Sequence, residues 1–181
     1  ALAWLKAHFE VKSAVDVGTG SGCIAVTLAK QVPELKMTAI DASTAALAVA
    51  RQNAERHKVA ERLNFLQADL LSSLTAESAH IHLLLANLPY IPTQTLLNLQ
   101  IFGREPQLAL DGGADGLRLI ARLLVQAQTR LAHGGLALLE IEARQGTAVR
   151  RLASQVFPQA EIQVLPDLAG LDRLLVIQNG D

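Results

Sequence analysis

Apolar and polar positions along the chain fall into two alternating regimes. Largely apolar runs occur at Ala14–Val17, Met37–Ile40, Leu63–Gln67, Ile81–Ala86, Leu136–Ile141, Glu161–Leu165 and Arg173–Gln178. Several of them are continuous rather than alternating, as in strands buried on both faces of a parallel sheet. Between the runs, apolar residues recur at helical spacing. Leu117, Ile120, Ala121, Leu124 and Leu131 share one stripe, and Val149, Leu152, Ala153 and Val156 share another. Ser43 predicts the N-cap of a helix reaching about Arg56, and Gly134-Gly135 predicts the end of the helix containing Leu131. The resulting order, β-α-β-α-β-loop-β-α-β-α-β-β, predicts an α/β fold with a doubly wound, mostly parallel sheet. The short turn Pro166–Leu171 between the last two runs predicts a C-terminal antiparallel hairpin. Tyr90 to roughly Gly116 fits neither regime, and a loop of that length in a compact domain is functional or disordered.

Composition narrows the class. The 181 residues suffice for one domain with a substantial core, and no repeat, low-complexity tract or linker divides them, so residues 1–181 are expected to form a single domain. Half the chain is hydrophobic but only 3% is aromatic, so Leu, Ala, Val and Ile must build the core. No apolar run approaches the ~18 residues of a membrane span, and a soluble domain without membrane partners is expected. Sixteen Lys and Arg against seventeen Asp and Glu lack the basic excess of a phosphate-binding protein, so direct nucleic-acid binding is not expected, although a local basic patch stays open. A lone Cys23 cannot form an internal disulfide, and Ala1–Glu10 lacks the features of a signal peptide; both suit a cytoplasmic location. The five histidines have no metal-ligand spacing with Cys23 or one another, so no metal is expected. The chain begins at Ala1 and its only methionine is Met37, the pattern of a fragment with an upstream domain missing.

Four features carry chemistry. Asp16-Val17-Gly18-Thr19-Gly20-Ser21-Gly22 follows a predicted strand and opens a helix. Its glycines let the backbone turn sharply near a ligand, and the helix N-terminus offers unpaired N–H groups. The spacing G-x-G-x-G differs from the G-x-G-x-x-G of dinucleotide binders. Asp41 ends the second strand nineteen positions after Gly22, where a carboxylate can accept both ribose hydroxyl protons of a nucleoside; it also suits a turn or cap. Asp69, just past the third strand, can accept from an adenine amino group or act as a plain turn residue. Asn87-Leu88-Pro89-Tyr90 ends the fourth strand. A planar amide or amine nitrogen is a poor nucleophile because its lone pair is delocalised. The Asn87 side-chain oxygen and a neighbouring main-chain carbonyl can accept its two protons, aim the lone pair at an electrophile and stabilise the developing charge. Pro89 stiffens this turn, and Tyr90 can stack on the planar group.

Together these residues resemble the class I methyltransferases, and more narrowly the HemK-type family of release-factor glutamine N5-methyltransferases. The likeness extends over Asp16–Ile24, Asp41-Ala42-Ser43, Ala50–Asn53, Asn87–Pro92, Glu105–Leu117 and Asp167–Arg173. It implies a Rossmann-like class I fold and the cofactor S-adenosyl-L-methionine, released as S-adenosyl-L-homocysteine, with no metal. It further implies that Asp16, Gly18, Thr19, Gly20 and Gly22 hold the methionine end, Asp41 the ribose and Asp69 the adenine, with Asn87 also touching the cofactor. Asn87, Pro89 and Tyr90 become the catalytic residues. Asn87, Leu88, Pro89, Tyr90 and Glu105 become the substrate-binding ones, and a peptide-chain release factor becomes the protein partner. Two departures stand out. Residue 88 is Leu where the family has Pro, as also in enzymes that methylate adenine in ribosomal RNA, and the family's N-terminal helical domain is missing. The alternatives are therefore an adenine N6-methyltransferase acting on RNA or DNA, and a non-catalytic cofactor-binding module. Against the first stands the segment Ile91–Gly116, whose only basic residue is Arg104.

Overall fold

The computed structural model describes residues 1–74, 80–99 and 109–180. Helix α1 (Leu2–Ala7) leads into strand β1 (Ser13–Val17), followed by α2 (Cys23–Gln31), β2 (Lys36–Asp41), α3 (Thr44–Arg56), β3 (Leu63–Gln67) and β4 (Ile81–Ala86). Short β5 (Ile91–Pro92) and α4 (Thr93–Leu97) continue from β4. Strand β6 (Asp111–Gly113), α5 (Arg118–Gln128), β7 (Leu131–Glu140), α6 (Gly146–Val156), β8 (Glu161–Pro166) and β9 (Asp172–Gln178) complete the described helices and strands.

Seven strands form one sheet in the order β3-β2-β1-β4-β7-β9-β8. Strands β1, β2, β3, β4 and β7 run parallel, while β9 is antiparallel to both neighbours and lies between β7 and β8. The doubly wound sheet and the terminal hairpin predicted from the pattern are both present. Side chains alternate across the strands and split the core in two. Val15, Val17, Leu84, Ala137 and Leu139 face α5 and α6. Ala14, Leu83, Leu85, Leu136 and Leu138 face α1, α2 and α3. Ile120 and Leu123 of α5 are fully enclosed, each stabilising the fold by roughly 1.5–3 kcal/mol relative to exposure.

The Ser43 cap is present, its hydroxyl accepting from the Ala46 N–H at 3.2 Å. One expectation is corrected. Leu131 does not belong to the preceding helix, which ends at Gln128; it opens β7 and pairs with Ile81. Gly134-Gly135 therefore does not stop a helix but bends the strand. Gly134 has φ +69°, and the two glycines exchange backbone hydrogen bonds with Asn179. The unassigned segment after Tyr90 also contains structure: β5 and β6 pair in a small parallel sheet of their own. Residues 100–108 of that segment, Glu105 among them, lie outside the described residues. No described helix is long and apolar enough to cross a membrane.

Candidate functional site

The switch point of the sheet lies beside β1, which has β2 on one flank and β4 on the other. The connection after β1 leads to β2 and the one after β4 leads toward β7, in opposite directions, opening a crevice at the carboxyl ends of the strands. A cleft of about 950 Å³ occupies this place, and its walls include Gly18, Thr19, Gly20, Asp41, Asp69 and Asn87. Six of the residues singled out in the sequence thus share one cavity, with Leu88 and Pro89 beside them.

The glycine loop leaves β1 with left-handed backbone at Gly18 (φ +72°), Gly20 (φ +56°) and Gly22 (φ +81°). A Cβ at Gly18 would lie 2.8 Å from Leu88 Cδ2, so Leu88 would have to shift, and the positive φ strains any side chain there. Gly22 is not on the cleft wall; a Cβ there would meet Ala50 Cβ at 3.1 Å, so it serves the close approach of α2 to α3. The loop's amides are also engaged, mostly with the end of β2. Gly18 and Thr19 donate to the Ile40 carbonyl at 2.8 and 2.9 Å, Gly20 to Asp41 Oδ2 at 2.8 Å, and Gly22 to the Thr19 carbonyl at 2.8 Å. The expectation of unpaired amides fails at these four positions. A dinucleotide site aims such donors at a pyrophosphate, and here they are engaged within the fold.

Asp16 is 1% exposed and lies beneath the cleft rather than on its wall. Its Oδ2 accepts the Thr19 hydroxyl at 2.7 Å, while its buried Oδ1 makes no close hydrogen bond among the described residues. Burial raises its pKa from 3.8 to about 6 and the negative Asp41 pushes the same way, against the Thr19 hydroxyl and the dipole of the Ala25 N–H. Asp41 accepts from the Ser43 N–H at 2.9 Å as well as from Gly20, so it anchors the loop while half-exposed to the cleft. Asp69 pairs with Arg122 at 2.6 Å. Both partners are largely exposed, so the pair adds little stability.

On the opposite wall the chain leaves β4 through Asn87-Leu88-Pro89-Tyr90. The Asn87 side chain is exposed, whereas Leu88 is buried against Gly18. Tyr90 is not on the cleft wall. Its hydroxyl donates to Glu140 Oε1 at 3.3 Å, and its main-chain carbonyl accepts from Gln145 Nε2 at 3.1 Å. Burial, reinforced by the Glu140 carboxylate, raises the phenol above its usual pKa, with Arg173 opposing, so Tyr90 stays a neutral donor. Asp111 also reaches the cleft, accepting from the Thr93 hydroxyl at 2.7 Å and the Gly113 N–H at 2.9 Å.

Sequence reasoning missed Arg118, Arg122 and Gln145, and gave Glu140 no role. Arg118 and Arg122 both line the cleft, so among the described residues its cations come from α5. Their i, i+4 spacing on the polar side of the Leu117–Leu124 stripe was the available signal. Among the described residues no group of three or more His, Cys, Asp or Glu is placed to hold a metal.

Residues 2–101 match the family described as methyltransferase small domain. Curated relatives named release factor glutamine methyltransferase include those of Moorella thermoacetica and Chlorobaculum tepidum. The first is 48% identical over 87% of this chain and 56% of its own, and the second 42% identical over 89% and 55%. The chain thus spans about half the length of these relatives. Among solved structures, a methyltransferase from Pyrococcus furiosus superimposes with a TM-score of 0.68 at 16% identity, covering 94% of this chain and 76% of its own. The ribosomal protein L11 methylase of Lactobacillus delbrueckii subsp. bulgaricus gives 0.66 at 19% identity, covering 94% and 71%. These likenesses make the sheet a class I methyltransferase fold. The family match takes in over half of the chain, from α1 through β4 and past the Asn87 turn, and so includes most of the strands that build the cleft: the chain belongs to the methyltransferase small domain family.

Proposed function

We propose that residues 1–181 are the catalytic domain of a cytoplasmic enzyme that transfers a methyl group from S-adenosyl-L-methionine to the side-chain amide nitrogen of a glutamine in a peptide-chain release factor. The observation that carries this reading is the position of the Asn87 turn across one cleft from the glycine loop and Asp41. The residues suit the cofactor. The buried Asp16 carboxylate beneath the glycine loop suits an ammonium group by its charge, Asp41 suits ribose hydroxyls and Asp69 an adenine amino group. When bound, the cofactor supplies an electrophilic methyl on a sulfonium. The chain's part is orientation. Asn87 Oδ1 and the residue-88 carbonyl accept the two protons of the substrate amide, turning its nitrogen lone pair toward the donor. Pro89 fixes the turn; Tyr90, turned off the cleft wall onto Glu140, holds that turn rather than stacking on the planar group, and the substrate contact of Glu105 rests on the resemblance alone. No strong base is required, because nitrogen becomes acidic once alkylated.

Asp41→Ala tests the cofactor half. Removing hydrogen bonds to a charged acceptor worth roughly 1.5–3 kcal/mol should weaken S-adenosylmethionine binding about 10- to 150-fold. Calorimetry giving unchanged affinity in a folded variant removes Asp41 from the site. The acceptor half is tested by mass spectrometry after incubation with S-adenosylmethionine, a release factor and a structured RNA. Methylated glutamine is expected, with a short peptide modified much more weakly than the folded factor. Assayed as residues 1–181 alone, the domain should show a raised KM and the same product, since any docking by further chain supplies uniform binding. Efficient transfer to RNA adenine with none to glutamine supports the alternative reading, for which Arg118 and Arg122 are the local observation.

A further inference from the structure

We propose that Gln145 is a positioning residue for methyl transfer, its amide fixing the main chain of the acceptor turn from behind; this rests on the function proposed above. Gln145 is 6% exposed and stands at the start of α6, outside the cleft. One face of its amide meets two carbonyls. Nε2 donates to Tyr90 O at 3.1 Å and reaches Asp115 O at 3.5 Å. The other face meets a donor, Oε1 accepting from the Glu142 N–H at 3.0 Å. Two carbonyls on one side and an N–H on the other fix which end is nitrogen. A single side chain therefore ties together three segments: the Asn87–Tyr90 turn, the glycine-rich turn after β6, and the beginning of α6.

The turn has little room to move. A Cβ on Gly116 would fall 2.2 Å from Tyr90 O and 2.6 Å from Gln145 Nε2, and one on Gly112 would fall 2.8 Å from Tyr90 Cα. Backbone packed this closely passes any shift of the amide on to Tyr90, and from there through Pro89 to the residue-88 carbonyl. Displacements near 1 Å at an orienting group can cost about 10²-fold in rate. Gln145 touches neither wall of the cleft, so its loss should act on turnover and spare the cofactor.

The test uses Gln145→Met, of similar length without hydrogen bonds, and Gln145→Glu, compared with the unaltered chain from pH 6 to 8. S-adenosylmethionine and a purified release factor are the probes. Gln145→Met should lower kcat about 10- to 100-fold, with KM and cofactor Kd within threefold of wild type. In Gln145→Glu, an ionised carboxylate sets negative oxygen against two carbonyls, and its protonated form regains one O–H donor. The activity of Gln145→Glu relative to wild type should therefore rise as pH falls, a dependence that a merely structural role does not give. Amide hydrogen exchange at Ile91, which donates to Leu110 O at 3.0 Å, should quicken in Gln145→Met. A kcat within threefold of wild type in both variants overturns the proposal. So does a kcat loss matched by an equal loss of cofactor affinity, or a Gln145→Glu to wild-type ratio that does not vary with pH. If the unaltered chain transfers no methyl to the release factor, the function reading fails separately; unchanged exchange at Ile91 then overturns the brace, and quickened exchange supports it.

Discussion

Replacing Asn87 by alanine is expected to slow methyl transfer by about two to three orders of magnitude, with S-adenosylmethionine affinity near that of the unaltered protein. The size is that of losing one preorganised hydrogen-bonding group at a reacting centre. Asn87 is suited to so selective an effect. Its backbone leaves the end of β4, which is paired on both sides, so the polar group projects from a rigid strand end. Its exposed side chain supports little packing, and truncation should leave the fold intact. Single-turnover rates together with calorimetric cofactor binding give the measurement. A rate within a few-fold of wild type would reduce Asn87 to a turn residue.

Asp16→Asn should stabilise the cofactor-free protein at neutral pH by up to about 3 kcal/mol, the value of a shift from 3.8 to about 6 at 1.36 kcal/mol per unit. The direction follows from where the proton sits. The folded state holds it more tightly than the unfolded state, so this group's favourable contribution is complete below pH 3.8 and is lost as pH rises through about 6. Asparagine keeps the shape and carries no buried charge. The difference between variant and wild type should therefore grow between pH 4 and 7 and level off above. Denaturant unfolding at pH 5 and pH 8 measures it, and a difference independent of pH contradicts the assignment. On the function proposed above, the same variant should bind S-adenosylmethionine less tightly, because it removes the negative charge beneath the glycine loop.

What could be read in the sequence follows the range of each interaction. Ile81–Ala86 is predicted to the residue because a parallel strand enclosed on both faces leaves a nearly continuous apolar run, and Leu63–Gln67, at the sheet edge, because Leu63 and Phe65 alternate with polar Asn64. The start of β7 was hidden because Gly134-Gly135 has a local reading as a helix stop. Its actual partner, Asn179, lies far along the chain. Glu140 and Gln145 escaped for the same reason: both act on Tyr90 across 50 or more positions, and nothing near them in sequence marks the contact. Asp16 was legible as a member of the site, but its depth was not. It lies between Val15 and Val17, which face α5 and α6, so alternation along the strand turns its carboxylate to the other side of the sheet.

The contact between Leu88 and Gly18 changes how position 88 is to be compared among related sequences. The Leu88 side chain is 4% exposed and belongs to the same apolar cluster as Val17, Ile40, Leu84 and Ala86. Its identity is thus answerable first to the volume left above a glycine in the loop after β1. Residues in contact do not contribute additively, so an exchange of Leu88 for proline carries an epistatic term with that loop. The residue-88 carbonyl, in contrast, is common to every amino acid. The letter at position 88 is therefore a record of how two walls of one cleft were fitted together, and carries little information about whether the methyl acceptor is an amide or a nucleobase.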